Sequence, residues 1–320
     1  MRNLLKIVLI VICVAAFSEP IKAVDNNVIK AFKQLTRQND WRLVRKTKLN
    51  FNAFHTQGMV KIKEYFYVSA VEVTEPTKTL SESDHLWDFT VTRTAGKGRG
   101  WLFKFDQTGN LIDKVELTNG DAYHPGGIDY DGEYIWVPIA EYRPNSASRV
   151  YRVDPDTMRA TLSFNVTDHI GNLVHNTDRG VFNGTSWGSR RIYQWNIDFD
   201  REGKGKINQE IWHANPTHYI DYQDCHYQAV NYMLCAGVQN IQSPQGKVQI
   251  GGIELVDLSK NVSRPAHLLP VTEYIDDQMV VTNNPFWVEV ENDILRFYFM
   301  PDNKQNAELL VYELDITTNR

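Results

Sequence analysis

The stretch DAYHPGGIDYDGEYIWVPIAEYRPNS, residues 121–146, decides the fold of this chain. It opens on His124-Pro125-Gly126-Gly127, where an imidazole precedes two glycines whose backbones can adopt angles that are closed to other residues. Asp131-Gly132 is a two-residue hairpin signal, and the returning run, residues 134–140, is rich in β-branched and aromatic side chains. The stretch therefore predicts a β-hairpin with polar groups at the ends of its strands.

The same unit recurs along the chain. Its clearest mark is a strand that ends in an apolar residue followed by an aspartate, whose side chain can cap the next turn. Copies of this mark end at Asp106, Asp154, Asp198, Asp257 and Asp315. A hairpin precedes each copy, and the hairpins are predicted to turn near Lys63-Glu64, Asp131-Gly132, Asn183-Gly184, Ala229–Asn231 and Glu291–Asp293. Each unit therefore has three strands before a fourth.

A fourth strand follows every copy of the unit except the last. The candidates for this strand are residues 111–117, 160–164, 206–212 and 267–271. Residues 41–49 read as a strand without a unit, and pairing it with residues 308–315 closes a ring that leaves no exposed sheet edge. We therefore predict an all-β fold, a five-bladed β-propeller closed by an N-terminal strand. A short amphipathic helix is predicted over residues 26–37. A six-bladed ring is the alternative, because the insertion at residues 74–100 has room for further strands.

Residues 1–23 have the pattern of a signal peptide. Arg2 and Lys6 precede an apolar run over residues 7–17, and Ala23 ends a candidate cleavage site. A retained anchor is the alternative, although the apolar run is shorter than the ~20 residues that a membrane span needs. We therefore expect a secreted or periplasmic protein whose residues 24–320 form a single propeller domain without a membrane span.

Cysteine usage fits an oxidising compartment. Cys13 lies in the predicted signal peptide, whereas Cys225 and Cys235 remain in the mature chain and flank one predicted hairpin turn. We expect these two to face each other across the hairpin and form a disulfide bond. Patterns for N-linked glycosylation begin at Asn165, Asn183 and Asn261, and they matter only in a eukaryotic secretory host.

Charge and motifs exclude several function classes. The formal net charge is −5 and includes no long run of like charges, which argues against nucleic acid as a partner. The sequence contains no dinucleotide-binding fingerprint, phosphate-binding glycine loop or serine nucleophile elbow. A small molecule, neutral or cationic, is therefore the expected ligand.

In a propeller the ligand usually meets the polar ends of the innermost strands, at one mouth of the central channel. The residues predicted to lie there are His55 with Gln57, His124, His175 with Asp178, Asp224 with His226, and Asn283 with Asn284. Strict alignment of the hairpins places Tyr222, rather than His226, at the position of His55. Converging neutral imidazoles can bind a transition metal, so His55 and His124 are candidate ligands of one divalent metal ion. The alternative is that each histidine caps the backbone of its own blade.

Two glutamates keep the same register as these histidines. His55 and Gly58 precede Glu72 at the same offsets by which His124 and Gly127 precede Glu141. Glu72, Glu141 and His124 are therefore candidate catalytic acids and bases. The arginines near similar strand ends, Arg143 and Arg190, are candidate ligand-binding residues. The alternative for the glutamates is that they form ion pairs with arginines on the rim.

Six segments resemble an exported family that is catalogued only as a domain of unknown function. They are residues 54–73, 123–146, 149–158, 186–195, 218–228 and 284–289, with sequences such as FHTQGMVKIKEYFYVSAVEV and SWGSRRIYQW. The resemblance covers nearly the whole mature chain and implies no activity. A fainter similarity links Thr56-Gln57-Gly58-Met59 to the Phe-Thr-Gln-Gly-Leu motif of plant-type glutaminyl cyclases, which are five-bladed. Here His55 separates Phe54 from Thr56, and the Glu-Ser-Thr-Gly motif of those enzymes is absent.

Two classes of function follow from the sequence. The first is a hydrolase, lyase or cyclase that acts on a small metabolite or sugar at the histidine and glutamate face, with a divalent metal as the candidate cofactor. The second is a propeller that binds a ligand or a protein on the same face without catalysis. The first is favoured, because repeated titratable groups in a pocket cost stability unless they have a function.

Overall fold

The computed structural model describes residues 22–80, 93–217, 219–244, 246–276, 279–301 and 307–317. Nearly all of the predicted signal peptide, residues 1–23, lies outside the described residues. The same holds for the middle of the insertion at residues 74–100. Among the described residues, no helix has the length and apolar character needed to cross a membrane.

Within the described residues the strands form five sheets arranged as the blades of a propeller. The chain begins with α1 (Lys22–Phe32) and β1 (Arg42–Lys48). Blade 1 contains β2 (His55–Ile62), β3 (Tyr65–Glu75), β4 (Lys97–Asp106) and β5 (Leu111–Glu116). Blade 2 contains β6 (Ala122–Pro125), β7 (Asp129–Tyr130), β8 (Ile135–Glu141), β9 (Ser148–Val153) and β10 (Ala160–Val166).

The remaining blades repeat this order, with the innermost strand first. Blade 3 contains β11 (Ile170–Asn176), β12 (Val181–Ser186), β13 (Arg191–Phe199) and β14 (Gly205–Ala214). Blade 4 contains β15 (Asp221–Tyr227), β16 (Tyr232–Ser243), β17 (Gly246–Asp257) and β18 (Arg264–Val271). Blade 5 contains β19 (Phe286–Glu291), β20 (Ile294–Phe299), β21 (Glu308–Asp315) and β1. Short 3₁₀ helices span Trp187–Ser189 and Val281–Asn283.

The ring closes through its N-terminal strand, as predicted. Strand β1 pairs antiparallel with β21, from Arg42 opposite Glu313 to Lys48 opposite Glu308. This pairing gives blade 5 its outer strand. The five-bladed propeller is therefore confirmed, and the described residues contain no sixth blade.

The N-terminal helix packs its apolar face against blades 4 and 5. Val28, Ile29 and Phe32 are buried, together with Leu35 just beyond the helix, in a cluster with the side chains of β16, β17 and β20. The helix ends at Phe32, earlier than the predicted end at Arg37. Its continuation is replaced by a turn in which the Thr36 amide donates to Asn39 Oδ1, an interaction by which asparagine competes with helical hydrogen bonds.

One predicted hairpin turn is wrong. The turn of blade 3 comprises residues 177–180, where Gly180 has a φ of +63°, and not Asn183-Gly184. Asn183 is buried within β12, opposite Val174 on one side and Gln194 on the other. Gly184 lies in the strand because the ring of Trp195 packs over it and leaves no room for a Cβ atom. The inner strand of blade 3 therefore begins earlier in the sequence than predicted.

The predicted disulfide bond is confirmed. Cys225 on β15 lies directly opposite Cys235 on β16, with their Cα atoms 4.1 Å apart, and the two sulfur atoms are bonded. Both residues are fully buried in an apolar cluster formed mainly by blade 4. The bond therefore joins neighbouring strands of one blade rather than separate blades.

Candidate functional site

Four blades start their inner strand in the same way. The pairing of the inner strand with its neighbour shifts by one residue between Thr56 and Gly58 in blade 1, between Ile170 and Asn172 in blade 3, and between Tyr222 and Asp224 in blade 4. Blade 2 has one shift between Ala122 and His124, and the shift that corresponds to the other blades falls between Pro125, opposite Ile139, and Asp129, opposite Trp136. Such bulges redirect the side chains around them. The residues one position before the shift are His55, His124, His169 and Asp221.

These four residues line one cavity of about 190 Å³, here called the mouth pocket. The remaining side chains and backbones around it belong to Gln57, Tyr142, Gly171, Ser186, Trp187, Gly188, Tyr222 and Gln223. Of the residues predicted from sequence to form the site, His55, Gln57 and His124 lie in this pocket. His169, Tyr142, Trp187 and Asp221 were not predicted.

The three imidazoles of the mouth pocket are neighbours. The ring centroids of His55 and His124 are 6.4 Å apart, and those of His124 and His169 are 5.5 Å apart. His169 donates its Nδ1–H to the backbone carbonyl of Glu141 at 2.8 Å, so its Nε2 carries the lone pair. The His55 Nε2 accepts from the Gln57 side-chain amide at 2.7 Å. His124 Nδ1 is buried and has no hydrogen-bond partner in the part of the chain that the structure describes.

Burial keeps two of these imidazoles neutral. It lowers the pKa of His124 well below 6.5, and the neighbouring His169 and His55 lower it further. Burial also lowers the pKa of His169 to about 4, although the hydrogen bond to the Glu141 carbonyl opposes the shift. At neutral pH both rings therefore present lone pairs and N–H groups rather than positive charge.

Aromatic rings form one wall of the mouth pocket. Tyr142 stacks on His124 with a centroid distance of 3.9 Å, and Trp187 meets His169 edge-on at 4.7 Å. Tyr142 and Trp187 are 5.8 Å apart. The guanidinium of Arg93, from the insertion in blade 1, lies 5.8 Å from the centre of the Trp187 ring. The pocket therefore offers an apolar ring surface beside its polar groups.

The centre of the propeller is closed by Asp224. Its carboxylate accepts from the backbone amides of Met59 in blade 1 at 2.9 Å and Ile128 in blade 2 at 3.1 Å. A longer contact of 3.4 Å reaches the amide of Phe286 in blade 5. A Cβ atom added at Gly58 would lie 2.5 Å from the Ile128 nitrogen, which explains why β2 needs glycine at this point. Asp224 therefore ties the blades together and does not line the mouth pocket.

His226 is also buried at the centre. It donates Nε2–H to the Phe286 carbonyl at 2.8 Å, and its ring nitrogens lie 3.4 Å from Asp224 and 3.7 Å from Asp129. Burial opposes protonation, but the two carboxylates raise the pKa of His226 to about 10. Burial raises the pKa of Asp224 and Asp129 as well. This trio holds charge inside the ring, away from the mouth pocket.

The remaining residues predicted in blade 3 lie at the opposite end of their strand. His175 Nδ1 is 2.8 Å from Asp131 Oδ2, and its ring stacks on Phe182. Asp178 lies in the turn after β11, where it accepts hydrogen bonds from the Tyr227 hydroxyl and the Val230 amide of the inner hairpin of blade 4. The misplaced turn at Asn183-Gly184 caused this assignment, because it moved the predicted start of the strand from His169 to His175.

The other predicted polar residues are engaged outside the lining of the mouth pocket. Glu72 accepts from Trp101 Nε1 at 3.1 Å, and the carboxylate of Glu141 pairs with Arg143 at 2.6 Å. Arg190 lies 3.4 Å from Asp221, at the edge of the pocket. Asn284 is buried, where it donates to the Thr56 hydroxyl and approaches the Pro301 carbonyl, while Asn283 accepts from Gln249. Within the described ranges, no group of three or more His, Cys, Asp or Glu side chains is arranged to hold a metal ion as the side chains stand.

The fold and its mouth pocket define a five-bladed β-propeller with a polar site at one end of the ring. The chain belongs to a family described as "Family of unknown function (DUF6454)", whose model matches residues 13–317. This confirms the resemblance seen in the sequence. No curated protein matches the chain.

One of the solved structures that match the chain is described as a luciferin-regenerating enzyme. It is 11% identical to this chain, covers 84% of it and 94% of its own length, and gives a TM-score of 0.43. A likeness this distant carries no argument about activity. The similarity to glutaminyl cyclases is not shown by these comparisons.

Proposed function

We propose that the protein binds a small polar molecule in the mouth pocket. The observation that carries the proposal is the pair of buried, neutral imidazoles of His124 and His169 at an open cavity, with His124 Nδ1 lacking a partner among the described residues. Buried polar atoms are nearly always hydrogen-bonded, so an unpartnered atom beside a cavity calls for an explanation. We propose that the His124 ring turns on binding, so that a ligand that donates a hydrogen bond reaches Nδ1.

The size and charge of the pocket indicate the kind of ligand. Its volume of about 190 Å³ is below the roughly 300 to 1,000 Å³ of pockets that hold drug-sized molecules, so the ligand is smaller. The described lining includes one carboxylate, Asp221, and neither lysine nor arginine. The rings of Tyr142 and Trp187 add an apolar surface. A neutral or cationic molecule with several hydrogen-bonding groups, such as a monosaccharide or a small amine, fits this lining best.

The test measures, by ligand-observed NMR, whether the protein binds members of a panel of monosaccharides, polyols and small amines. The variant His169→Gln removes an imidazole from the pocket, and His213→Gln removes one from the outer strand β14 as the matched control. We expect ligands whose binding disappears in His169→Gln and persists in His213→Gln. If every ligand bound both variants equally, the site would lie elsewhere.

A second candidate, catalysis on the bound molecule, is favoured by one observation. The hydrogen bond from His169 Nδ1 to the Glu141 carbonyl fixes the tautomer in which Nε2 can accept a proton or bind an electrophile. We propose a hydrolase, lyase or cyclase as the reaction class. Chemical change of a bound panel member over time, measured by NMR, separates catalysis from simple binding.

We also propose that the protein is exported. The pattern of residues 1–23 and the disulfide bond between Cys225 and Cys235 support this proposal. Mass spectrometry of the protein from its native host should find a mature N-terminus near Val24. An N-terminus at Met1 would contradict export by a cleaved signal.

A further inference from the structure

We propose that the mouth pocket binds one divalent transition-metal ion of the zinc type through the imidazoles of His124 and His169, with His55 as the third ligand. This inference rests on the proposed function, because it names a cofactor for the same pocket. Three histidine ligands leave one position of a tetrahedral ion for water or substrate, which is the pattern of catalytic rather than structural zinc sites.

The positions of the three histidines support a shared ligand. Each lies one residue before the same shift in strand pairing, in three consecutive blades, so the fold directs all three toward one end of the ring. Zn–N bonds of about 2.0 to 2.1 Å place the ring centroids of two ligands about 5 Å apart. The observed separations of 5.5 Å and 6.4 Å are close to that value. The ring of His55 must therefore move closer to that of His124 for the three rings to share one ion.

The hydrogen bonds of two rings fit metal ligation. Metal-binding histidines usually donate their second ring N–H to a carbonyl or carboxylate, which fixes the ring and its tautomer. His169 makes this bond to the backbone carbonyl of Glu141. His124 lines the cavity with a buried Nδ1 that has no partner among the described residues. The tautomer of His169 therefore leaves Nε2 as its candidate metal-binding nitrogen, and the His124 ring lies at the same cavity.

The described residues hold no set of three ligands as the side chains stand, so metal binding requires a rearrangement of His55. Its Nε2 accepts from the Gln57 amide at 2.7 Å. On metal binding, the imidazole of His55 would give up the hydrogen bond to Gln57 and bind the metal ion instead. Asp221 occupies the equivalent position in blade 4 but lies 3.4 Å from Arg190, and it is left out of the proposed ligand set.

The test is metal titration of full-length mature protein that has been stripped with a chelator and dialysed. Zn²⁺ is added in a calorimeter, and Co²⁺ is followed by its visible absorption. We expect one equivalent of each ion to bind, with the intense visible bands of four-coordinate Co²⁺. Because loss of an outer hydrogen bond already weakens metal binding about 10- to 100-fold, loss of a ligand in His124→Gln or His169→Gln should weaken it at least about 100-fold. His213→Gln should bind as the wild type does.

Three outcomes would overturn the metal site: no saturable binding, binding that is unchanged in His169→Gln, or binding that is lost in His213→Gln. Circular dichroism and the melting temperature show whether each variant is folded, and His169→Gln or His55→Gln provides the test if His124→Gln does not fold. The small-molecule panel is repeated in the presence of chelator. Panel binding that depends on His169 without metal binding would refute the metal and leave the proposed function intact, whereas loss of both would refute the pocket.

Discussion

Asp224 is the residue on which the centre of the ring depends. Its carboxylate accepts backbone amides from blades 1, 2 and 5 and lies 3.4 Å from His226. Asp224→Ala removes this acceptor and leaves a buried histidine with one carboxylate fewer. Breaking a buried pair in this way typically costs roughly 3 to 5 kcal/mol.

We therefore expect Asp224→Ala to lower the free energy of unfolding by at least about 3 kcal/mol, measured by urea denaturation. Asp113→Ala on the exposed face of β5 is the matched control and should change it by less than about 0.5 kcal/mol. Equal losses in the two variants would mean that Asp224 does not hold the blades together.

His226 gives the fold a dependence on alkaline pH. Its pKa is about 10 in the folded protein and ordinarily 6.5, because the carboxylates of Asp224 and Asp129 outweigh the effect of burial. A raised histidine pKa contributes stability that is complete below about pH 6.5 and is lost as the pH rises through about 10.

The wild type should therefore melt several degrees above His226→Gln at about pH 7, and the gap should shrink to within about two degrees by about pH 10.5. Calorimetry of both proteins over this range measures it. Tyrosine and lysine titrations are common to the two proteins and cancel in the difference. A gap that stays constant with pH would show that His226 is neutral in the fold.

At the scale of the elements, β1 is the strand that closes the ring. It supplies the outer strand of blade 5, while α1 only covers apolar side chains of blades 4 and 5. Two truncations separate these roles, because one removes residues 24–40 and the other removes residues 24–49.

The shorter truncation should lower the melting temperature but keep a single cooperative transition. The longer one should abolish cooperative unfolding, because blade 5 loses its outer strand and the ring its closure. Scanning calorimetry distinguishes the two results. If both truncated proteins melted alike, the closure by β1 would not be needed for the fold.

The disulfide bond between β15 and β16 is a local element of blade 4. Both sulfur atoms belong to fully buried residues, so reductant should reach them only after the blade opens. We expect mass spectrometry to find neither thiol alkylated in folded protein treated with reductant, and both alkylated in denaturant. Two free thiols in untreated protein from the native host would contradict the bond. Its removal should cost no more than about 2 to 3 kcal/mol, because the loop that it closes is short.

Some features of the strands and blades could be predicted from the sequence, and others could not. The number of blades could be predicted because the strand-ending aspartates repeat along the chain. Ring closure could be predicted because the N-terminal strand has no unit of its own. Blade 3 was assigned the wrong turn because Asn183-Gly184 matches a hairpin signal, while packing against Trp195 makes Gly184 part of a strand. That contact comes from the neighbouring strand β13 and is not evident in a local pattern.

The error in blade 3 carried over to the candidate site. It exchanged His169 for His175. The offset from histidine to glycine that links His55 with Gly58 does not recur at His169, which has Asn172 at that position, so the repeat did not indicate His169. Tyr142 and Trp187 could not be predicted, because they reach the pocket from the ends of other strands. Asp224 and His226 were assigned to the mouth because sequence shows the strand but not the depth of a residue along it.

At the scale of the whole molecule, the propeller brings the equivalent starts of several inner strands together around one pocket. Histidines of blades 1, 2 and 3 meet because the blades are equivalent, while the Asp224 carboxylate closes the ring nearby. The same geometry places His175 and Asp178 at the far end of the inner strand. The mouth pocket, rather than an open channel, is therefore the candidate functional site of the propeller.

The most direct test of this claim is the electron density in the mouth pocket of protein purified from its native host without added chelator. We predict density beyond ordered water in contact with His124 and His169, with an anomalous signal if a metal ion is part of it. A pocket that holds only water, together with a bound molecule at another surface of the propeller, would contradict the account.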